Sequence, residues 1–204
     1  MLIVIEGPDR FGKETQTKLL EAALGSYAVH GSVFVKHIEV PVKGSMTYTL
    51  IYWMLNNGLA KRFPNVFQVV QFMNKFMFQT FVLPKYTEFY DYVILDRWSL
   101  SGLVYGEATN VNNVLNRLLH RSLVKPDITL VMTGKPFPRT GEKDTYETDD
   151  QLQSRVSRLY VDYSRTLHGH TLVNNVGTKN EVHNRIMCIL QHEGIIEQRW
   201  EMNK

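Results

Sequence analysis

Gly7, Gly12 and Lys13 stand at the spacing of a phosphate-binding loop, in the run Glu6-Gly7-Pro8-Asp9-Arg10-Phe11-Gly12-Lys13-Glu14-Thr15. Glycines let backbone N–H groups curl around phosphate oxygens, and a lysine neutralises the β- and γ-phosphates. The apolar run Leu2-Ile3-Val4-Ile5 precedes the loop, and helix-compatible sequence follows it. That order sets an anion at a helix N-terminus, where unpaired N–H groups and the helix dipole favour negative charge. The loop motif asks for Ser or Thr after the lysine, to bind Mg²⁺ through a hydroxyl. Glu14 occupies that position, with Thr15 one place later.

The elements around these residues follow from periodicity and punctuation. A helix runs from Lys13 to about Leu24, ending near Gly25, and a second strand spans residues 32–38. Ser45 caps a helix that reaches Asn57-Gly58, and a long Phe- and Met-rich helix covers Asn65 to about Tyr86. Tyr92 to Leu95 is a buried-type strand ending in Asp96-Arg97-Trp98, and Ser99 or Ser101 opens another helix. Val111 to Leu123 is helical, Ile128 to Met132 a strand, and residues 134–149 a polar loop with Gly and Pro. A helix from Asp150 to about Leu167, a strand at Thr171-Leu172-Val173 and a helix from Lys179 to His192 complete the pattern.

Strands alternating with helices imply an α/β fold with a doubly wound parallel sheet of about five strands. Ligands in such sheets bind beyond the carboxyl ends of the strands. Charged residues sit at three such ends: the loop after the first strand, Glu39 after the second, and Asp96-Arg97 after the third.

The chain of 204 residues is long enough for one sizeable domain, and its 44% hydrophobic and 21% charged residues are ordinary for a globular protein. A net charge of +3 suits an anionic small molecule without demanding nucleic acid. The seven histidines show no metal-ligand spacing, and the single cysteine, Cys188, allows no internal disulfide. We expect a reducing, cytoplasmic setting. No apolar run is long enough to cross a membrane, and with the first strand placed from Leu2 we expect no signal peptide.

With these residues in place the chain resembles the thymidylate kinases, P-loop enzymes that phosphorylate dTMP with ATP. The opening Ile5-Glu6-Gly7-Pro8-Asp9-Arg10 with Gly12-Lys13-Glu14-Thr15-Gln16 is similar to that family's, and Asp96-Arg97-Trp98-Ser99-Leu100-Ser101-Gly102 resembles its Asp-Arg-aromatic-x-x-Ser-Gly motif. Lys125-Pro126-Asp127 resembles the lead into its fourth strand, and Tyr146-Glu147 lies in the segment resembling its lid. The resemblance implies a single kinase domain over residues 1–204 with a mobile lid at about 134–149, Mg²⁺ with ATP as donor, nucleotide substrates, and a homodimer joined through the long apolar helix. Three positions depart from the family: Glu14 replaces Ser or Thr, Lys43 replaces an arginine, and Gln71 and Lys75 replace a base-stacking Phe and a base-reading Arg. Phe72, one place after Gln71, is the alternative stacking residue if the register shifts.

Phosphoryl transfer relies on positioning and positive charge more than on covalent chemistry. Lys13 is expected to cradle the donor phosphates and Arg10 to stabilise the transferring group. Arg97 is expected to grip the acceptor phosphate with its planar fork, the alternative being an ion pair with Asp96. By resemblance, Asp9 meets the acceptor sugar or assists catalysis, and Ser101, Gly102 and Tyr105 line the acceptor pocket. Asp96 can hold Mg²⁺ through water or orient Arg97. Glu14 either ligates that ion, opposes the phosphates, or points to solvent. Lys135, Arg139 and Lys143 in the lid segment either meet phosphate or form a solvated loop.

Overall fold

A computed structural model describes residues 1–26, 33–111, 113–138 and 149–196. In chain order, β1 (Leu2–Glu6) leads through the loop into α1 (Lys13–Gly25), followed by β2 (Val35–Glu39), α2 (Met46–Asn56), α3 (Leu59–Arg62), α4 (Pro64–Phe81) and α5 (Leu83–Phe89). Next come β3 (Tyr92–Asp96), α6 (Ser99–Ala108), α7 (Asn113–Arg121), β4 (Ile128–Thr133), α8 (Asp150–Thr166), β5 (His170–Asn174) and α9 (Lys179–His192). The five strands pair in parallel in the order β2-β3-β1-β4-β5. The chain switches direction across the sheet at β1, and the loops after β1, β2 and β3 open on one edge. The ligand crevice of a doubly wound sheet lies at such an edge.

β1 is the central strand, and all five of its residues are buried, which is why it reads as continuous apolar sequence up to Glu6. One core layer joins Ile3, Ile5 and Leu130 to Leu20 and Leu24 of α1 and Ile186 and Leu190 of α9. On the opposite face Val4, Val93 and Leu95 meet Phe78 of α4 and Trp98. A Cβ on Gly7 would lie 2.8 Å from the carbonyl oxygen of Met132, and its φ is 140°. Only glycine lets the chain leave β1 so close to β4.

The main differences from the sequence expectation lie in the region between β1 and β3. The long apolar helix is two helices, broken at Val82, whose φ/ψ of −117°/−50° interrupts the regular geometry. Pro84 lacks an N–H and its ring would strike the carbonyl of Thr80, so α4 cannot continue through it. The short helix α3 leaves no mark in the sequence pattern, because Leu59-Ala60-Lys61-Arg62 is too brief to show a period. The second strand begins at Val35 rather than at 32, and residue 32 lies outside the described residues.

Candidate active site

A cleft of about 620 Å³ opens at the carboxyl edge of β1, β2 and β3. Of the residues singled out from sequence, Asp9, Arg10, Gly12, Lys13, Glu14, Thr15, Lys43, Gln71, Lys75, Asp96, Arg97, Ser101, Gly102 and Tyr105 line it. Gly7 lies behind the lining, with its carbonyl accepting from Arg97 Nη1 at 3.1 Å. Phe72 does not line the cleft. It packs with the β2–β3 core layer and sets its ring 6.1 Å from that of His120, edge to face. The aromatic residue of α4 that does reach the cleft is Phe67, 1% exposed.

Lys13 opens α1 directly behind the loop and is 7% exposed. Its Nζ donates to the Pro8 carbonyl at 2.7 Å and lies 3.9 Å from Asp9 Oδ1. Burial, aided by the neighbouring Arg97 cation, pushes the Lys13 ammonium down to about 8 against the pull of Asp9, Asp96 and Glu6. An ammonium behind a glycine loop at a helix N-terminus is suited to meet phosphate oxygens.

Arg97, at φ 71°, follows the end of β3 and holds its guanidinium among Gly7, Asp9 and the Tyr160 hydroxyl. Its ion-pair partner among the described residues is Asp9, not Asp96. Asp9 Oδ2 also accepts from the Tyr105 hydroxyl at 2.5 Å and from Gln153 Nε2 at 3.2 Å. Burial alone would raise the Asp9 carboxyl, but Arg97, Lys13 and these hydrogen bonds together hold it at about 2. Burial also pushes the Tyr105 phenol well above its ordinary value, so it remains a donor.

Arg10, at φ 69°, donates from Nη1 to the Phe137 carbonyl at 3.3 Å, while the Phe137 N–H donates to the Arg10 carbonyl at 2.8 Å. These bonds tie the loop to the segment after β4. Residues 139–148, with Arg139, Lys143, Tyr146 and Glu147, lie outside the described residues. Glu14 turns outward: its carboxylate accepts from Lys18 Nζ at 2.6 Å, and 65% of its side chain is exposed. Thr15 is exposed, and Lys43 pairs with Glu39 at 2.6 Å.

Four residues without a role from sequence complete the site. Glu6, fully buried, accepts from the N–H of Trp98 at 2.6 Å and of Ser101 at 3.1 Å, and from the Tyr160 hydroxyl at 3.1 Å. It thereby satisfies orphan donors at the start of α6 from a distant strand. Gln153 and Tyr160 stand on the buried face of α8 beside Val156. Polar residues on an otherwise apolar helical stripe are the signal that could have found them. Gln68 of α4 lines the cleft beside Gln71 and Lys75.

The cleft therefore joins a glycine loop at a helix N-terminus to a buried lysine and an arginine that share the Asp9 carboxylate. The thymidylate kinase model matches residues 5–186 of this chain. The chain belongs to the thymidylate kinase family. As a family member it is a nucleoside-monophosphate kinase that takes ATP as donor and dTMP as acceptor. It is 25% identical to the thymidylate kinase of Plasmodium falciparum over 191 residues, covering 91% of this chain and 87% of that one. Its fold is similar to that of the Candida albicans enzyme (TM-score 0.78, 24% identity, 95% of this chain and 92% of that one). It is also similar to the Ehrlichia chaffeensis enzyme (TM-score 0.69, 23% identity, 94% and 98%).

Proposed function

We propose that this kinase divides its cleft between a donor end at the P-loop and an acceptor end walled by α2, α4 and α6. The division rests on Asp9, whose one carboxylate pairs with Arg97 and lies 3.9 Å from Lys13, so that two cations share a single counter-charge between the two ends. Lys13 and the loop N–H groups bind the donor phosphates, and Arg97 binds the acceptor phosphate with its fork. Arg10 is within reach of the transferring group once it leaves the Phe137 carbonyl, and in-line transfer needs such a charge there. Asp9, ionised across the neutral range, orients Arg97 and faces the acceptor sugar.

Magnesium fits this site through one carboxylate. No three metal-ligating side chains cluster among the described residues. Asp96 lines the cleft with a buried Oδ1 that has no hydrogen-bond partner among the described residues. Mg²⁺ keeps several waters and is commonly bound through one or two carboxylates plus substrate phosphates. Asp96 would hold it, and the ion would offset charge on the phosphate oxygens. Glu14, turned to Lys18, is left outside that role.

The acceptor wall carries Gln71 and Lys75 in place of the ring and fork of the family pattern, so dTMP is accepted with weaker preference. The Candida albicans relative is itself described as having broad substrate specificity. Product formation from ATP and dTMP, dUMP, 5-hydroxymethyl-dUMP, dCMP and dGMP tests this. A second substrate should come within roughly tenfold of dTMP, a gap of about 1.4 kcal/mol. A thousandfold preference for dTMP would sink the relaxed-selectivity reading, and no product from any acceptor would sink the kinase reading.

A homodimer through the long apolar helix is in keeping with the exposed Met73 and Met77 of α4, and light scattering would measure it. The lone cysteine accords with a cytoplasmic location.

A further inference from the structure

Helix α4 turns Gln68, Gln71 and Lys75 toward the cleft, at positions i, i+3 and i+7 of one face. Gln68 is 3% exposed, and its Oε1 has no hydrogen-bond partner among the described residues. An unpaired buried amide lowers stability. Packing does not call for an amide here, because the adjoining core of Ile51, Leu55, Phe67 and Val70 is apolar and would accept an aliphatic side chain. Lys75 is equally buried, donates to Ser101 Oγ at 3.3 Å, and has no carboxylate within 4.0 Å among the described residues. Two buried polar side chains on one wall of a nucleotide cleft, each with bonding capacity to spare, are matched to a polar ligand edge.

We infer that Gln68 is a specificity-determining residue that hydrogen-bonds the acceptor base and, with Lys75, reads the adjacent N–H and carbonyl of an oxo-base. This rests on the kinase reading above, which leaves the α2–α4 wall for the base. An ammonium only donates, so the base atom facing Lys75 is an acceptor, best supplied by a carbonyl oxygen. The amide of Gln68 accepts from the neighbouring ring N–H. Thymine, uracil and guanine present that carbonyl, whereas cytosine and adenine present an amino group in its place. The 5-substituent of a pyrimidine is not read by this pair, so discrimination among uracils that differ at C5 falls to other residues of the wall.

Gln68→Met keeps the length of the side chain and removes its hydrogen bonds. The expected result is a dTMP KM raised about tenfold or more, with kcat within about twofold and the ATP KM unchanged. Without nucleotide the variant should melt no lower than the unsubstituted protein, since an unpaired polar group has been removed. The unsubstituted enzyme should use N3-methyl-dTMP, which has lost the ring N–H, on the order of a hundredfold less efficiently than dTMP, and Gln68→Met should narrow that gap. An unchanged dTMP KM, or a lowered melting temperature, assigns Gln68 a structural role and overturns the inference. Absence of dTMP turnover by the unsubstituted protein is a separate result, which overturns the kinase reading itself.

Discussion

Glu6 Oε1, at the end of β1, accepts the N–H of Trp98 at 2.6 Å across 92 positions of sequence. The carboxylate thus fixes the start of α6, which carries Ser101, Gly102 and Tyr105, against the strand that launches the P-loop. The donor and acceptor halves of the cleft share this buried anchor.

Glu6→Ala would strand the N–H groups of Trp98 and Ser101 and the Tyr160 hydroxyl. Each unpaired buried donor costs about 1–3 kcal/mol, and the three are not additive, so we expect roughly 3 kcal/mol lost in urea unfolding. Glu6→Gln, which keeps an acceptor, should lose about half as much. Unchanged stability in both variants would remove the anchoring role.

Lys13→Ala should lower kcat on the order of a hundredfold or more with the far-ultraviolet spectrum preserved, because the side chain acts on phosphate charge. A variant with near-normal turnover would contradict the P-loop assignment.

Arg97→Lys keeps the charge but loses the planar pair of donors that spans Gly7, Asp9 and Tyr160. The monophosphate KM should rise on the order of tenfold or more while ATP affinity is largely kept. If ATP binding collapses and monophosphate binding survives, the two ends of the cleft are reversed.

Burial lowers both Lys13 and Lys75 from 10.5 to about 8. A lysine with a depressed folded pKa binds its proton less tightly in the native state than in the unfolded chain. Stability therefore rises with pH above about 8, where the native lysines have released protons that the unfolded chain still holds. Tyr105 and Tyr160, raised well above 10.0, reverse the trend above pH 10, where only the unfolded chain ionises its tyrosines. Urea unfolding at pH 7.5 and 9.5 should show a gain on the order of 2 kcal/mol per lysine, reduced by roughly half in Lys75→Met. Activity moves the other way: kcat/KM for ATP should fall above pH about 8 as Lys13 loses its charge. A flat profile to pH 9.5 would show that Lys13 stays charged in the free enzyme.

The strand–loop–helix around Gly7 and Lys13, the α/β alternation and the charged residues at the strand ends are legible in the order of residues alone. Those features are local: period, glycine spacing and capping act over a few neighbours. Even the break at Val82 had its cause within reach, in Pro84. Contacts across long separations are fixed only once the chain has folded. That Arg97 pairs with Asp9 rather than with its neighbour Asp96 depends on how β1 and β3 lie side by side, since the end of a strand points its last side chains into a shared crevice. That Phe67 and Gln68 face the cleft while Phe72 packs into the core depends on the rotation of α4, which the helix period leaves free until α2, α6 and β3 close around it. The polar residues Glu6, Gln153 and Tyr160 stayed silent in sequence because their work is to satisfy partners that approach only when the chain is folded.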